Sequence, residues 1–110
     1  MQTILESPKF TIIKPSNSIT AANAHLLERK LTNVLRQNSH LNLLVDMQQV
    51  EFIDSCGLMA LISSCKLAQS LEKRFSLCSV SSSLKIIIEL TQLDNVFEIF
   101  ESEAAYKETL

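Results

Sequence analysis

A single glycine, Gly57, stands in a chain of 110 residues, where average composition would supply about eight. That scarcity excludes the glycine-rich loops that cradle phosphates: the sequence has no GxGxxG and no GxxxxGK[ST]. Nor does it contain HExxH or GxSxG, so the familiar metalloprotease and hydrolase signatures are absent as well. Cysteine is sparse. Cys56, Cys65 and Cys78 make an odd count with no CxxC pair, which argues against a disulfide framework and against a zinc site; free thiols in a reducing compartment are the plain reading. His25 and His40 lie far apart among polar or helical neighbours and read as surface residues rather than ligands or bases.

A surplus of either charge is missing too. Ten basic and twelve acidic residues give a formal charge of −2, and their even scatter leaves no basic stripe for nucleic acid and no polybasic patch for a membrane. No apolar run approaches the length of about 18 residues that a membrane span requires. The leading MQTILESPK lacks the basic-then-apolar plan of a signal peptide, so the expected location is cytoplasmic. Asp46 and Asp54 both fall near strand ends and form the one candidate carboxylate pair, although Asp46 reads equally well as a turn residue. With no nucleophile–base set, no metal set and no phosphate loop, no enzymatic activity and no cofactor are expected.

What is present describes an ordinary folded protein, 46% apolar and 20% charged. Its length fits one domain spanning residues 1–110, large enough to bury a core without disulfides or metal. Residues 3–6 (TILE) and 10–14 (FTIIK) are β-prone runs around Ser7, Pro8 and Lys9, which predicts a hairpin. Pro15 to Ser18 break the pattern. From Thr20 to Gln37 the apolar residues Ala24, Leu27, Leu31, Val34 and Leu35 recur at helical spacing, with Thr20 or a neighbour as the cap. Asn38 to His40 then connect to Leu41–Met47 (LNLLVDM), which reads as a buried central strand. Val50–Ile53 predicts a further strand. Leu58, Leu61, Ile62, Cys65 and Ala68 mark a second amphipathic helix reaching Glu72 or Lys73. Phe75–Val80 reads as a strand, and Ser81–Ser83 as cap-forming residues before a short helix over Leu84–Thr91. Val96–Phe100 suits an edge strand, and Ser102–Leu110 a closing helix. Strands alternating with helices of this length imply crossovers and at least partly parallel pairing.

The junction VEFIDSCGLMAL, Val50–Leu61, concentrates the unusual features. A strand hands over directly to a helix there, with Ser55 as the N-cap candidate and Asp54 at the positive end of the helix dipole. Gly57 would serve either a tight turn or the close approach of another molecule. Free N–H groups at such a helix start favour an anion. A phosphate on a hydroxyl there would add about −2 of charge to a nearly neutral surface, enough to repel a docked partner. The bland alternative is that Ser55 only caps and Gly57 only turns.

The run FIDSCGLMAL, set between an apolar strand and an amphipathic helix, resembles the signature of STAS domains, in particular stand-alone anti-sigma-factor antagonists of bacterial partner-switching systems. The likeness extends to LNLLVDMQQVEFID before it and to FSLCSVSSSL and LTQLDNVFEIFES after it. It implies an α/β fold: a mixed β-sheet of four to five strands with about four helices packed largely on one face. It also implies a protein without catalysis, docking on a serine kinase that doubles as an anti-sigma factor, with a phosphatase reversing the kinase's action. The partner-binding residues carried over are Asn17, Thr20, Asp54, Ser55, Cys56, Gly57, Leu58 and Met59, with Leu58 or Met59 supplying an apolar contact and Gly57 a flat surface.

Two positions depart from the family pattern. The usual phosphoacceptor immediately before the motif glycine is here Cys56, and the neighbouring hydroxyl is Ser55. Where many relatives carry a glycine and an acidic residue, this chain has Asn17-Ser18-Ile19-Thr20; asparagine tolerates left-handed geometry. Three consequences stay open for the switch: constitutive partner binding because Cys56 takes no phosphoester, phosphorylation of Ser55 instead, or oxidation of Cys56 at the helix start. Rival functions are a scaffold module assembling with other STAS proteins and a binder of a small anion such as a nucleotide. The partner's identity and the oligomeric state are not readable from the residues.

Overall fold

In the main sheet, neighbouring residues of each strand serve opposite faces. Ile13, Leu43, Val45, Phe75 and Leu77 join one core cluster, while Ile12, Leu44 and Cys78 join another. The computed structural model describes residues 2–6, 10–37 and 42–110. Its elements in chain order are β1 (Gln2–Glu6), β2 (Thr11–Pro15), β3 (Asn17–Ile19), α1 (Ala24–Gln37), β4 (Asn42–Asp46), β5 (Val50–Ile53), α2 (Ser55–Ser70), β6 (Arg74–Cys78), α3 (Ser82–Leu90), β7 (Glu98–Phe100) and α4 (Glu103–Lys107), with a 3-10 turn at Leu93–Asn95. The sheet order is β1-β2-β4-β6-β7; β1 runs antiparallel to β2 and the other pairings are parallel. Register aligns Ile4, Ile13, Val45, Leu77 and Ile99 in one row across all five strands. The mixed sheet of the family resemblance is therefore present, with β7 on the expected edge.

Helices α1, α2 and α3 cover one face. Ala24, Leu27, Leu31 and Leu35 of α1, Leu61, Cys65 and Ala68 of α2, and Leu84 and Ile88 of α3 all bury in the larger cluster, as their spacing requires. The short α4 covers the other face through Tyr106, whose ring meets Phe10 edge-on at 5.3 Å and Phe100 at 5.4 Å. Ser81 and Ser102 cap α3 and α4, accepting from the N–H groups of Leu84 and Ala105. No helix among the described residues is long and apolar enough to cross a membrane.

Several boundaries differ from the sequence reading. Residues 15–18, read as a break, include the start of a three-residue strand, β3, which pairs parallel with β5 as a separate two-stranded ribbon. A segment of three residues is too short to show a period of two. The first helix begins at Ala24, after a turn that Thr20 caps: its Oγ1 accepts from Ala22 N at 3.3 Å and its own N–H donates to Asn23 Oδ1 at 2.9 Å. The second helix ends at Ser70 because Glu72 turns left-handed (φ 58°). The predicted hairpin turn at Ser7–Lys9 and the Asn38–His40 connector lie outside the described residues.

With glycine absent from the turns, other residues take up left-handed geometry. Asn17 (φ 62°), Glu72 (58°), Ser79 (57°) and Gln92 (62°) all do so, while the one glycine does not. The reason for Gly57 lies elsewhere, at the end of the ribbon.

Candidate functional site

The ribbon β3–β5 delivers two chain ends side by side: Ile19 leads into the turn before α1, and Ile53 leads into α2. Asp54 joins them. Its N–H donates to the Ile19 carbonyl at 3.0 Å. Its carboxylate accepts from Gly57 N through Oδ1 and from Ala21 N through Oδ2, both at 3.0 Å. Asp54, in extended geometry, is thus the N-cap of α2, and Ser55, expected in that role, is the first helical residue. A carboxylate accepts from the third N–H more strongly than a hydroxyl would, and it suits the positive end of the dipole. The Gly57 N–H above all, then those of Ala21 and Cys56, hold the Asp54 carboxyl below its ordinary value of 3.8, with partial desolvation opposing them.

Gly57 faces this clamp from inside. A Cβ there would lie 2.6 Å from Ile53 Cγ1, 2.7 Å from the Ile19 carbonyl oxygen and 2.8 Å from Ile19 Cγ2. The backbone approach that demands glycine is therefore made by the chain's own ribbon. Gly57 has no positive φ and is buried, which corrects both the tight turn and the flat outward surface expected of it.

The other residues singled out divide by exposure. Ser55, Cys56 and Asn17 are exposed, and Met59 is 57% exposed. Leu58 is half-buried and packs against the larger core cluster, so Met59 is the outward apolar residue of the pair. Thr20 is half-buried in its capping turn, and Asn23 Nδ2 donates to the Ser18 carbonyl at 2.9 Å, closing the loop beside it. Asn17 occupies the left-handed geometry anticipated for it. The result is a small platform, Ser55, Cys56 and Met59 on the first turns of α2, whose backbone is fixed by Asp54 to the loop that follows β3. Ala21, Ile19 and Ile53, which hold the platform, were not singled out by sequence; the lone glycine was the signal that something packed against it.

The remaining chemistry is sparse among the described residues. Asp46 accepts from Gln48 N at 3.0 Å and serves its own turn, so it and Asp54 hold separate loops rather than form a catalytic pair. No group of three or more His, Cys, Asp or Glu side chains among the described residues could hold a metal ion. Cys56 is the exposed thiol. Cys65 and Cys78 are buried, and burial first, then Asp46, pushes the Cys78 thiol up to about 11.

Against known proteins, the profile of the STAS domain family matches residues 2–106. A candidate anti-sigma factor antagonist of Thermotoga maritima is 24% identical over 91 residues, covering 83% of this chain and 80% of that protein. The crystal structure of a candidate anti-sigma factor antagonist from the same organism superposes with a TM-score of 0.90 at 21% identity, covering 98% of this chain and 92% of the other. The phosphorylated form of the Bacillus cell-fate determinant SpoIIAA superposes with a TM-score of 0.77 at 12% identity over the whole of both chains.

Proposed function

Because the chain belongs to the STAS domain family, we propose that it is an anti-sigma-factor antagonist, acting by docking rather than catalysis, whose partner is a serine-kinase anti-sigma factor. The observation that carries this reading is the platform. Ser55, Cys56 and Met59 are exposed on a helix start that Asp54 fixes to the neighbouring loop. A surface held this rigidly loses little conformational freedom on binding, so modest contacts suffice. Met59 supplies the apolar anchor, with Asn17 and Thr20 at the rim.

The same geometry disfavours an anionic ligand at this helix start, since the Asp54 carboxylate already sits against the first-turn N–H groups and would repel it. Cys56 stands where the family signature places its phosphoacceptor. A thiol takes no serine-type phosphoester, so the proposed complex forms without a phosphorylation-driven release, and a phosphatase has no substrate at this position.

The test is titration calorimetry of the protein against the purified serine-kinase anti-sigma factor of its host, in the presence of nucleotide. Binding should weaken at least about tenfold in Met59→Asp, with the circular dichroism unchanged. No binding, or equal binding by wild type and variant, overturns the docking reading. Adding ATP and mapping modified sites by mass spectrometry tests the constitutive form separately: phosphate on Ser55 overturns it while leaving docking in place.

A further inference from the structure

Helix α3 turns only Leu84 and Ile88 inward. Its outer side carries Ile86 at 57%, Ile87 at 43% and Leu90 at 79% exposure, the last the most exposed of the chain's large apolar residues among those described. Beside its first turn runs a groove between α3 and β5, lined in part by Val50, Phe52, Ser83, Leu84 and Ile87, and Phe52 itself is 58% exposed. The second edge of β5 pairs with no strand among the described residues. Four large apolar side chains on one helix and the adjoining strand form a patch of the kind that folded proteins cover.

The charges beside the stripe say what covers it. Lys85 and Glu89 flank the same side of α3, and neither has an ion-pair partner among the described residues. In two antiparallel helices related by a two-fold axis, residues of one flank face the same flank of the mate. An axis beside Ile86 and Ile87 brings Lys85 of each copy within one residue's rise, about 1.5 Å along the axis, of Glu89 on the other. The same axis sets Leu90 over Ser83 of the mate, where a small side chain leaves room at the mouth of the groove. Knob, groove and opposite charges are thus all supplied by one surface, which is the condition for an isologous interface.

We propose that a second copy of this chain covers the stripe, as a two-fold dimer of antiparallel α3 helices with Leu90 of each seated between Ser83 and Phe52 of the other. The residues involved are different from those of the docking platform, so the proposal stands whether or not the proposed function holds. A helix of nine residues spans only about 13 Å, so the interface lies at the small end of the range for specific complexes.

Sedimentation velocity of the full chain from about 1 to 300 μM tests this. The wild type should shift from monomer to dimer across the series. Leu90→Lys, Lys85→Glu and Glu89→Lys should each raise the dissociation constant at least about tenfold, and the double variant Lys85→Glu with Glu89→Lys should recover the wild-type value, because it re-forms both ion pairs with their signs exchanged. All three positions are on the surface, and circular dichroism checks that the variants are folded. A wild type that stays monomeric at every concentration overturns the proposal and leaves the stripe to a different partner. A dimer insensitive to Leu90→Lys, or single charge reversals that the double variant does not rescue, overturns the antiparallel arrangement.

Discussion

The carboxylate of Asp54 accepts a hydrogen bond from the backbone of Ala21, 33 residues earlier, at 3.0 Å, while its other oxygen caps its own helix at Gly57. One side chain therefore fixes the starts of two helices relative to each other. Both bonds are charge-assisted, and both depend on the ionised form.

Acid should weaken this clamp in a defined direction. The Asp54 carboxyl is held below its ordinary 3.8, chiefly by the Gly57 N–H. Its unfolded-state value is the higher of the two, so its contribution to stability is fully present above about pH 4 and is lost as pH falls through the folded-state value. Asp54→Asn removes that dependence. The difference in Tm between wild type and Asp54→Asn, followed by circular dichroism, should be constant from pH 7 to about pH 5 and shrink below pH 4. A difference that stays constant to pH 2.5 means that the clamp does not require the charge.

Gly57 supports the same joint sterically. In Gly57→Ala the new methyl would sit 2.7 Å from the Ile19 carbonyl oxygen, a backbone atom that also accepts from Asp54. Overpacking of this kind costs about 1–3 kcal/mol, and the gain in helix propensity returns up to about 1. The expected net loss is about 1–2 kcal/mol by urea denaturation. Partner binding should fall with it, because the displaced α2 start carries Cys56 and Met59. Full stability with abolished binding would show that the glycine serves the partner surface instead.

These two residues show how far the sequence could be read. Apolar and β-prone runs such as Leu41–Met47 located the strands, and period-3.6 spacing located the covering helices, because Leu27, Leu31 and Leu35 share one face. The helix start at Ser55 was legible from the change of pattern at Asp54, and Ser81 from its place before a helical run. The ribbon strand β3 was not, since three residues carry no periodicity and Asn17 is left-handed. For the same reason the role of Gly57 was misread: its contacts, Ile19 and Ile53, are brought to it by that ribbon. Cap identity also escaped, because Asp54 and Ser55 are both good caps and only the handover angle from β5 decides between them.

Scarcity of glycine leaves room for stabilisation elsewhere. At the end of α2, Lys73 N donates to the Ala68 carbonyl and Glu72 N to that of Gln69, the paired bonds of a Schellman motif. Its left-handed position is held by an exposed glutamate at φ 58°, where a Cβ is strained. Glu72→Gly should stabilise by about 0.5–1 kcal/mol, the relief of strain exceeding the added flexibility of the unfolded chain. A loss of stability would indicate that the Glu72 side chain contributes interactions that outweigh its backbone conformation.

Cys56 offers the most direct lever on the proposed function. If the thiol is what keeps the complex closed, Cys56→Ser should convert a constitutive binder into a switchable one. The substitution is nearly isosteric, on an exposed helix residue, so fold and affinity without ATP should be unchanged. With ATP and the kinase, the variant should acquire phosphate at position 56 and then dissociate at least about tenfold faster, because a dianion beside the Asp54 carboxylate meets like charge and adds bulk at the contact surface. Wild type under the same conditions should keep its partner. Mass spectrometry of the tryptic peptides and the dissociation rate by surface plasmon resonance check the two halves separately. Phosphate on the variant without faster release would place the docking surface away from the α2 start, and release of both proteins at the same rate would assign the switch to a residue other than Cys56.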